Sequence, residues 1–302
     1  MPGIAVVHLV HRRNGLEPFA RFLSSYREYP AGVAHELVLL FKGFEREADT
    51  QAYERLIGEL PHRRELIADE GFDLDAYFGA ARRLEYEYFC FLNSYSRILD
   101  AGWLAKLHRW VIKDGVGMVG ASGSWQSINR GPATSRQGVP SSGKPRNFLS
   151  RLQRALRDPR PGMLRRRFWT AVLRLSGALR PGRDFPPFPN YHLRTNAFMA
   201  ARATLLRIRL APLRSKLQAY RFESGVDSMT RQVLGLGLQV LVVGRDGAGF
   251  PPERWHESNT FWRSRQQNLL VADNQTDTYL SLEPSWAAEL SSHAWGELAL
   301  HT

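Results

Sequence analysis

Tyr86-Glu87-Tyr88-Phe89-Cys90-Phe91-Leu92-Asn93-Ser94 is the stretch on which the fold turns. From Tyr88 to Leu92 it is apolar at consecutive positions, so the strand predicted over 86–92 must be covered on both faces. The polar pair Asn93 and Ser94 stops it. Just upstream, 74–84 has helical spacing, with Ala76, Ala80 and Ala81 small enough for close packing, and it follows a turn that carries Gly71 and Asp73. Further out the same alternation repeats. Strands are predicted over 4–10, 36–41 (ending at Gly43) and 66–68 (ending at Asp69), with helices around Phe19, Phe22, Leu23 and Tyr26 and over 50–60. On the other side come a helix over 99–111, a strand over 116–121, a strand over 194–200, helices over 216–222 and 229–235, and a strand over 239–243. From Gly244 onward the chain reads as mostly loop, with Trp255 and Trp262.

Strands that alternate with helices, each apolar through its length, indicate an α/β fold: a largely parallel sheet with helices on both faces. In such sheets ligands sit at the carboxyl ends of the strands. That directs attention to 11–13, Gly43, 69–73, 93–96 and 123–125.

Composition bounds the rest. Of 302 residues, 43% are hydrophobic and 23% charged, which excludes a disordered or low-complexity chain. At ~150 residues per domain the length suggests about two domains. One cysteine, Cys90, excludes an internal disulfide framework. No run approaches the ~20 apolar residues of a spanning helix, and the charges of the apolar start follow it instead of preceding it, unlike a secretory signal. The expected location is cytoplasmic, or peripheral on the inner face of the membrane.

The net charge of +12 is local. Residues 144–183 hold twelve basic residues against one acid, Asp158. Phe148, Leu149, Leu152, Ala155 and Leu156 share one helical face and Arg151, Arg154 and Arg157 the other. Leu164, Phe168, Val172, Leu175 and Leu179 repeat the pattern against Arg166, Arg167, Arg174 and Arg180. Such a basic helical insertion suits an anionic membrane surface; the alternative is an insertion that packs its stripe on the domain. Because the charge is concentrated, no nucleic-acid partner is expected.

Several chemistries drop out. Gly115-Val116-Gly117-Met118-Val119-Gly120 matches the dinucleotide fingerprint in letters, but these glycines lie in or before a strand, where the fingerprint needs a following helix. Gly120-Ala121-Ser122-Gly123-Ser124 lacks the last glycine of a nucleophile elbow. There is no Walker loop, and the nine histidines show no paired metal spacing.

The order of motifs resembles the GT-A fold of the family 2 glycosyltransferases, over roughly residues 4–125 and 190–245. The Gly71/Asp73 turn, the alanine-bearing helix and the strand ending in Phe91-Leu92-Asn93-Ser94 match that family's nucleotide-sugar half. Phe222-Glu223-Ser224-Gly225-Val226-Asp227, followed by Arg231, Gly237 and an apolar strand, looks like its acidic motif. The resemblance implies a nucleotide-sugar-binding half (1–128), the basic insertion (129–185), an acceptor and catalytic half (186–250) and a loop-rich tail (251–302). It implies transfer of a sugar from a nucleotide-sugar to an acceptor hydroxyl; the basic insertion adds the expectation of a lipid-linked or polysaccharide glycan at a membrane, and the position of the base that of inversion. Glu223 or Asp227 would be the base. His11, Arg12, Arg13, Asp73, Asn93, Ser94, Ser96, Arg231, Arg245 and His256 would hold the donor; Trp125, Asn190, His192, Arg194 and Asn196 would hold the acceptor.

One departure matters. The family's DxD position reads Asn93-Ser94-Tyr95, without a carboxylate, whereas a hard divalent cation wants anionic oxygens. Mg²⁺ or Mn²⁺ therefore stays open as a cofactor, and no metal ligand is assigned. Arginine, which binds phosphate oxygens bidentately, could neutralise the leaving diphosphate instead. Two other classes fit the same letters: a nucleotide-sugar-binding protein without catalysis, and a nucleic-acid-associated basic protein.

Overall fold

The strand Ile4–His11 (β1) is buried from Ile4 through Val10, because it is paired on both edges and covered on both faces. A computed structural model describes residues 3–129 and 181–296. The two basic amphipathic stripes predicted between Phe148 and Arg180 lie outside the described residues. By contacts the chain divides into two units, residues 1–126 with 189–302, and residues 127–188.

The first unit begins with β1, α1 (Leu16–Glu28), β2 (Glu36–Lys42), α2 (Gln51–Ile57), β3 (Arg63–Ile67), α3 (Asp73–Arg83) and β4 (Tyr88–Leu92). Next come β5 (Arg97–Ile98), α4 (Trp103–Val111), β6 (Val116–Gly120) and β7 (Gly123–Ser124). In the second unit a short helix α5 (Pro181–Asp184) is described, and Asn129 bridges Pro187. The first unit resumes with β8 (His192–Leu193), β9 (Ala197–Ala201), α6 (Arg202–Arg207), α7 (Lys216–Ser224), α8 (Met229–Gly235), β10 (Gln239–Val243) and β11 (Gly249–Phe250). It closes with β12 (Val271–Ala272), α9 (Asn274–Leu280) and α10 (Pro284–Trp295).

Eight strands form one sheet in the order β11-β10-β6-β9-β4-β1-β2-β3. Pairings β1–β2, β1–β4, β2–β3 and β6–β10 are parallel. β9 runs antiparallel between β4 and β6, and β11 antiparallel on β10. The result is an α/β fold on a mixed, mostly parallel sheet. On one face Val6, Leu39, Cys90, Met199 and Val119 pack with Phe19, Phe22 and Leu23 of α1 and Trp103, Leu104 and Leu107 of α4. On the other, the ring of Tyr77 on α3 lies 4.9 Å from that of Phe91 and 6.2 Å from that of Phe198. The consecutive apolar run of β4 is thus used on both sides.

The chain after Gly244, expected as mostly loop, carries helices α9 and α10. The inward face of α10 is Leu290, Ser291, Ala294 and Trp295, and its small and polar members hide the apolar period. Its caps were legible, with Pro284 at the first turn and Gly296 just beyond the end. Helix α6, six residues long, is too short for its period to stand out.

One buried group sits uneasily in this core. His8 on β1 is fully buried, stacked on Phe22 with centroids 3.6 Å apart, and among the described residues neither ring nitrogen has a hydrogen-bond partner. Burial pulls its pKa from 6.5 down to about 3. The unfolded chain therefore takes up a proton below pH 6.5 that the folded chain refuses until about pH 3. Stability from this site is complete above pH 6.5 and is lost as the pH falls between those values. Urea unfolding at pH 7 and pH 5 should show His8→Phe sparing the protein about 2 kcal/mol of the wild-type acid loss. Identical acid losses in the two proteins would contradict the assignment.

Candidate functional site

The carboxyl edge of the sheet gathers polar groups in a connected row. At the end of β1 the backbone N–H of Arg13 donates to His11 Nδ1 at 3.2 Å. That leaves the ring proton on Nε2, which faces Asp69 Oδ1 at 3.3 Å. The guanidinium of Arg13 donates to Asp69 Oδ2 at 2.6 Å. Burial holds His11 below the ordinary imidazole value; Asp69 opposes this and Lys42 adds to it.

β2 ends in Lys42, a buried cation whose Nζ donates to the Gly71 carbonyl at 2.8 Å. Burial lowers its pKa, while Asp73, Asp69 and Asp75 act to raise it. The turn it holds requires glycine. Gly71 has φ +61, and a Cβ there would lie 2.4 Å from Asp75 Oδ2. Asp75 in turn accepts from the backbone N–H of Phe72 at 2.7 Å and of Leu213 at 3.1 Å. Asp73, in the first turn of α3, has its carboxyl pushed up by burial, with Lys42 and His11 pulling the other way. An open groove of about 490 Å³ runs beside this turn, lined by Glu70, Phe72, Pro212 and Arg214 among others.

Beyond β4 the side-chain oxygen of Asn93 accepts from the backbone N–H of Tyr95 at 2.9 Å and from Ser96 Oγ at 3.2 Å. Ser94 Oγ donates to the Leu9 carbonyl at 2.8 Å, and Ser96 Oγ to the Asn196 carbonyl at 2.7 Å. Tyr95 is exposed, its hydroxyl donating to Asn14 Oδ1 at 3.0 Å. The Asn93 backbone N–H donates to the Asn196 carbonyl at 3.1 Å. The adjacent Thr195 Oγ1 donates to Glu223 Oε1 at 3.3 Å, at the end of α7. Asn93 and Glu223 therefore converge on the same strand end. Tyr77 reports the same convergence. Its hydroxyl donates to the Leu92 carbonyl at 3.2 Å, and burial, reinforced by the charges of Asp73 and Glu223, pushes its phenol well above the ordinary value.

The remaining predicted residues are engaged as follows. Arg12 pairs with Asp49 at 3.4 Å. Asp227 and Arg231 are exposed, at the approach to α8 and on it. Arg245 donates to the Leu99 carbonyl at 3.1 Å. Trp125 is buried in an aromatic cluster, with His256 at 4.9 Å and Trp295 at 5.6 Å, and its Nε1 donates to the Pro252 carbonyl at 2.8 Å. Burial lowers the His256 pKa, with Glu257 opposing. Asn190 is fully buried and donates to the Ser224 carbonyl at 2.7 Å. His192, half-buried, contacts the Asn190 carbonyl through Nδ1 at 2.8 Å. Asn196 accepts from Ser122 Oγ at 2.8 Å and donates to the Val271 carbonyl at 3.0 Å. Arg194 donates to Asp273 Oδ2 at 2.7 Å and lies 4.1 Å over the Phe261 ring.

Lys42, Tyr77, Thr195 and Asp273 were not among the predicted site residues, and Asp69 was marked only as part of the strand-end segment 69–73. Lys42 had a signal, a single charge closing an apolar strand. Thr195 and Asp273 had none, because their partners are 28 and 79 residues away.

The DxD position offers a poor set for Mg²⁺ or Mn²⁺. None of Asn93, Ser94 and Tyr95 is anionic, Asn93 Oδ1 already accepts two hydrogen bonds, and Ser94 Oγ is spent on Leu9. Among the described residues, no group of three or more His, Cys, Asp or Glu side chains is placed to hold a metal ion. Nor is any described helix long and apolar enough to cross a membrane.

No protein-family model and no curated protein matches the sequence. Among solved structures the chain is similar to the mannosyltransferase PcManGT from Pyrobaculum calidifontis, in complex with GDP-Man and Mn²⁺. The identity is 14% and the TM-score 0.46, over 99% of this chain and 77% of that one. It is also similar to S. aureus TarS, at 16% identity and TM-score 0.31, over 46% of this chain and 23% of that one. At this distance neither likeness assigns a chemistry.

The Arg194–Asp273 pair is nearly dry, the two side chains being 10% and 2% exposed. Asp273 also caps α9 by accepting from the N–H groups of Gln275 and Thr276. Arg194→Met should leave a buried carboxylate without its counter-ion and cost about 3 kcal/mol in urea unfolding. A loss within the ±0.5 kcal/mol typical of surface substitutions would show that the pair is solvated.

Proposed function

We propose that the chain is a glycosyltransferase of GT-A type that moves a sugar from a nucleotide-sugar to an acceptor hydroxyl. The observation that carries this is the convergence of Asn93 and Glu223 on one strand end, through Asn196 and Thr195. The donor would lie across the ends of β1, β2 and β4, with its diphosphate toward Arg13, His11 and the Lys42–Gly71 turn. The Arg13 guanidinium N–H groups that Asp69 does not hold would stabilise charge as it develops on a leaving diphosphate.

Glu223 is the better base of the two candidates. It half-emerges at the strand ends with Thr195 holding one oxygen, whereas Asp227 is exposed near α8. In this role its carboxylate accepts the acceptor hydroxyl proton as that oxygen attacks the anomeric carbon and the nucleoside diphosphate departs. Attack from the side opposite the leaving group inverts the anomeric centre. The acceptor would approach past His192. Residues 144–183 would bring the enzyme to an anionic membrane that carries a lipid-linked or polysaccharide glycan.

A thermal-shift panel of nucleoside diphosphates and nucleotide-sugars, with and without Mg²⁺ or Mn²⁺, tests donor binding. Stabilisation by one base without metal is the expected result; stabilisation that strictly requires metal would remove the cationic-rim account. For the base, Glu223→Gln should lower kcat by roughly 10²–10⁴-fold, while Asp227→Asn stays within about 0.5 kcal/mol of wild-type transition-state stabilisation. Turnover that survives Glu223→Gln would exclude it as the proton acceptor.

A further inference from the structure

A second cationic surface lies within the described residues. Between Arg202 and Arg231 the chain has seven basic residues and two acidic ones. Arg207, Arg209, Arg214, Lys216 and Arg231 are exposed, and none of the five enters an ion pair among the described residues. The same stretch exposes large apolar side chains: Leu206 is 49% exposed, Val226 43% and Leu234 36%. The amide of Gln232 on α8 joins the pieces. It accepts from the Arg209 N–H at 2.8 Å, and its Nε2 donates to the Arg209 carbonyl at 3.1 Å and the Asp227 carbonyl at 2.9 Å. Gln232 thereby holds the end of α6 and the approach to α8 beside α8, and Leu206, Arg207, Arg209, Val226, Asp227, Arg231 and Leu234 are exposed on these adjoining segments.

From this we infer that the α6–α8 surface docks on an anionic lipid bilayer. Guanidinium groups pair with lipid phosphates near the surface. Leucine and valine side chains among them gain by entering the interface, and arginine stems can lie flat while their heads stay hydrated. A nucleic acid would match the cations, but its backbone contacts are made by donors to phosphate and leave Leu206, Val226 and Leu234 exposed to water. The inference is drawn without residues 144–183 and does not depend on sugar transfer.

The test is co-sedimentation of the full chain with phosphatidylcholine vesicles, with and without phosphatidylglycerol, across a salt series. The wild-type chain should bind only the anionic vesicles, and more weakly as salt rises. Arg207→Glu/Arg209→Glu should weaken that binding at least about tenfold. Leu206→Ser/Leu234→Ser should weaken it too while keeping the salt dependence. Circular dichroism and Tm check folding, and the single variants Arg207→Gln and Leu206→Ser give the same readout should a double variant unfold. Wild-type vesicle affinity in both the charge and the apolar variants would overturn the inference, as would failure of the wild-type chain to bind anionic vesicles. Loss of oligonucleotide binding in the charge variant, with vesicle binding unchanged, would assign the surface to nucleic acid instead.

Discussion

A single buried residue, Asn196, ties the strand ends together through its backbone carbonyl and its side-chain amide. Its backbone carbonyl accepts from Asn93 N–H and Ser96 Oγ, its side-chain oxygen from Ser122, and its amide nitrogen donates to Val271. It is 1% exposed, so every one of these bonds must be made within the protein or its desolvation cost goes uncompensated. Four bonds from one residue tie the ends of β4, β6 and β9 to β12. Thr195, one residue earlier, can then meet Glu223 only at the edge where Asn93 emerges. The antiparallel course of β9 makes this possible, because its start, not its end, lies at the carboxyl edge of the parallel strands.

The edge formed by β1, β2 and β3 depends on a different kind of bond. Lys42 is buried at the end of β2, and a buried ammonium is tolerable only when its protons are used and negative charge is near. The Gly71 carbonyl and the surrounding Asp69, Asp73 and Asp75 meet both needs. The loop between β3 and α3 is thereby drawn down over the sheet edge. Asp69 in turn draws His11 and Arg13 together, so one loop positions the polar ends of β1 and β2. Arg194 and Asp273 do the equivalent for the C-terminal helices.

Much of the sheet was legible because its strands are apolar at consecutive positions, a pattern that only two-sided burial explains. β10 and α8 were located to the residue, since Gln239-Val240-Leu241-Val242-Val243 and the helix starting at Met229 are bounded by Ser228 and Gly237. The helices after Gly244 were not legible, because their inward faces use serine, alanine and single tryptophans. Glu223 and Asn93 were visible in the sequence as polar residues that close apolar segments. That Ser94, Asn196 and Arg194 are spent on internal bonds was not visible, since a polar letter at a strand end looks the same whether it faces a ligand or a carbonyl.

The sequence by itself determined the class of fold, the edge at which polar groups would collect, and the lack of a carboxylate at Asn93-Ser94-Tyr95. These are local matters of burial period, strand termination and side-chain chemistry. Tertiary structure alone decided that β9 runs backwards between β4 and β6, that Lys42 and Asp73 share one electrostatic neighbourhood with His11, and that Glu223 rather than Asp227 reaches the Asn93 edge. Each of those depends on contacts between residues far apart in the chain, whose energy exists only once the intervening loops have closed.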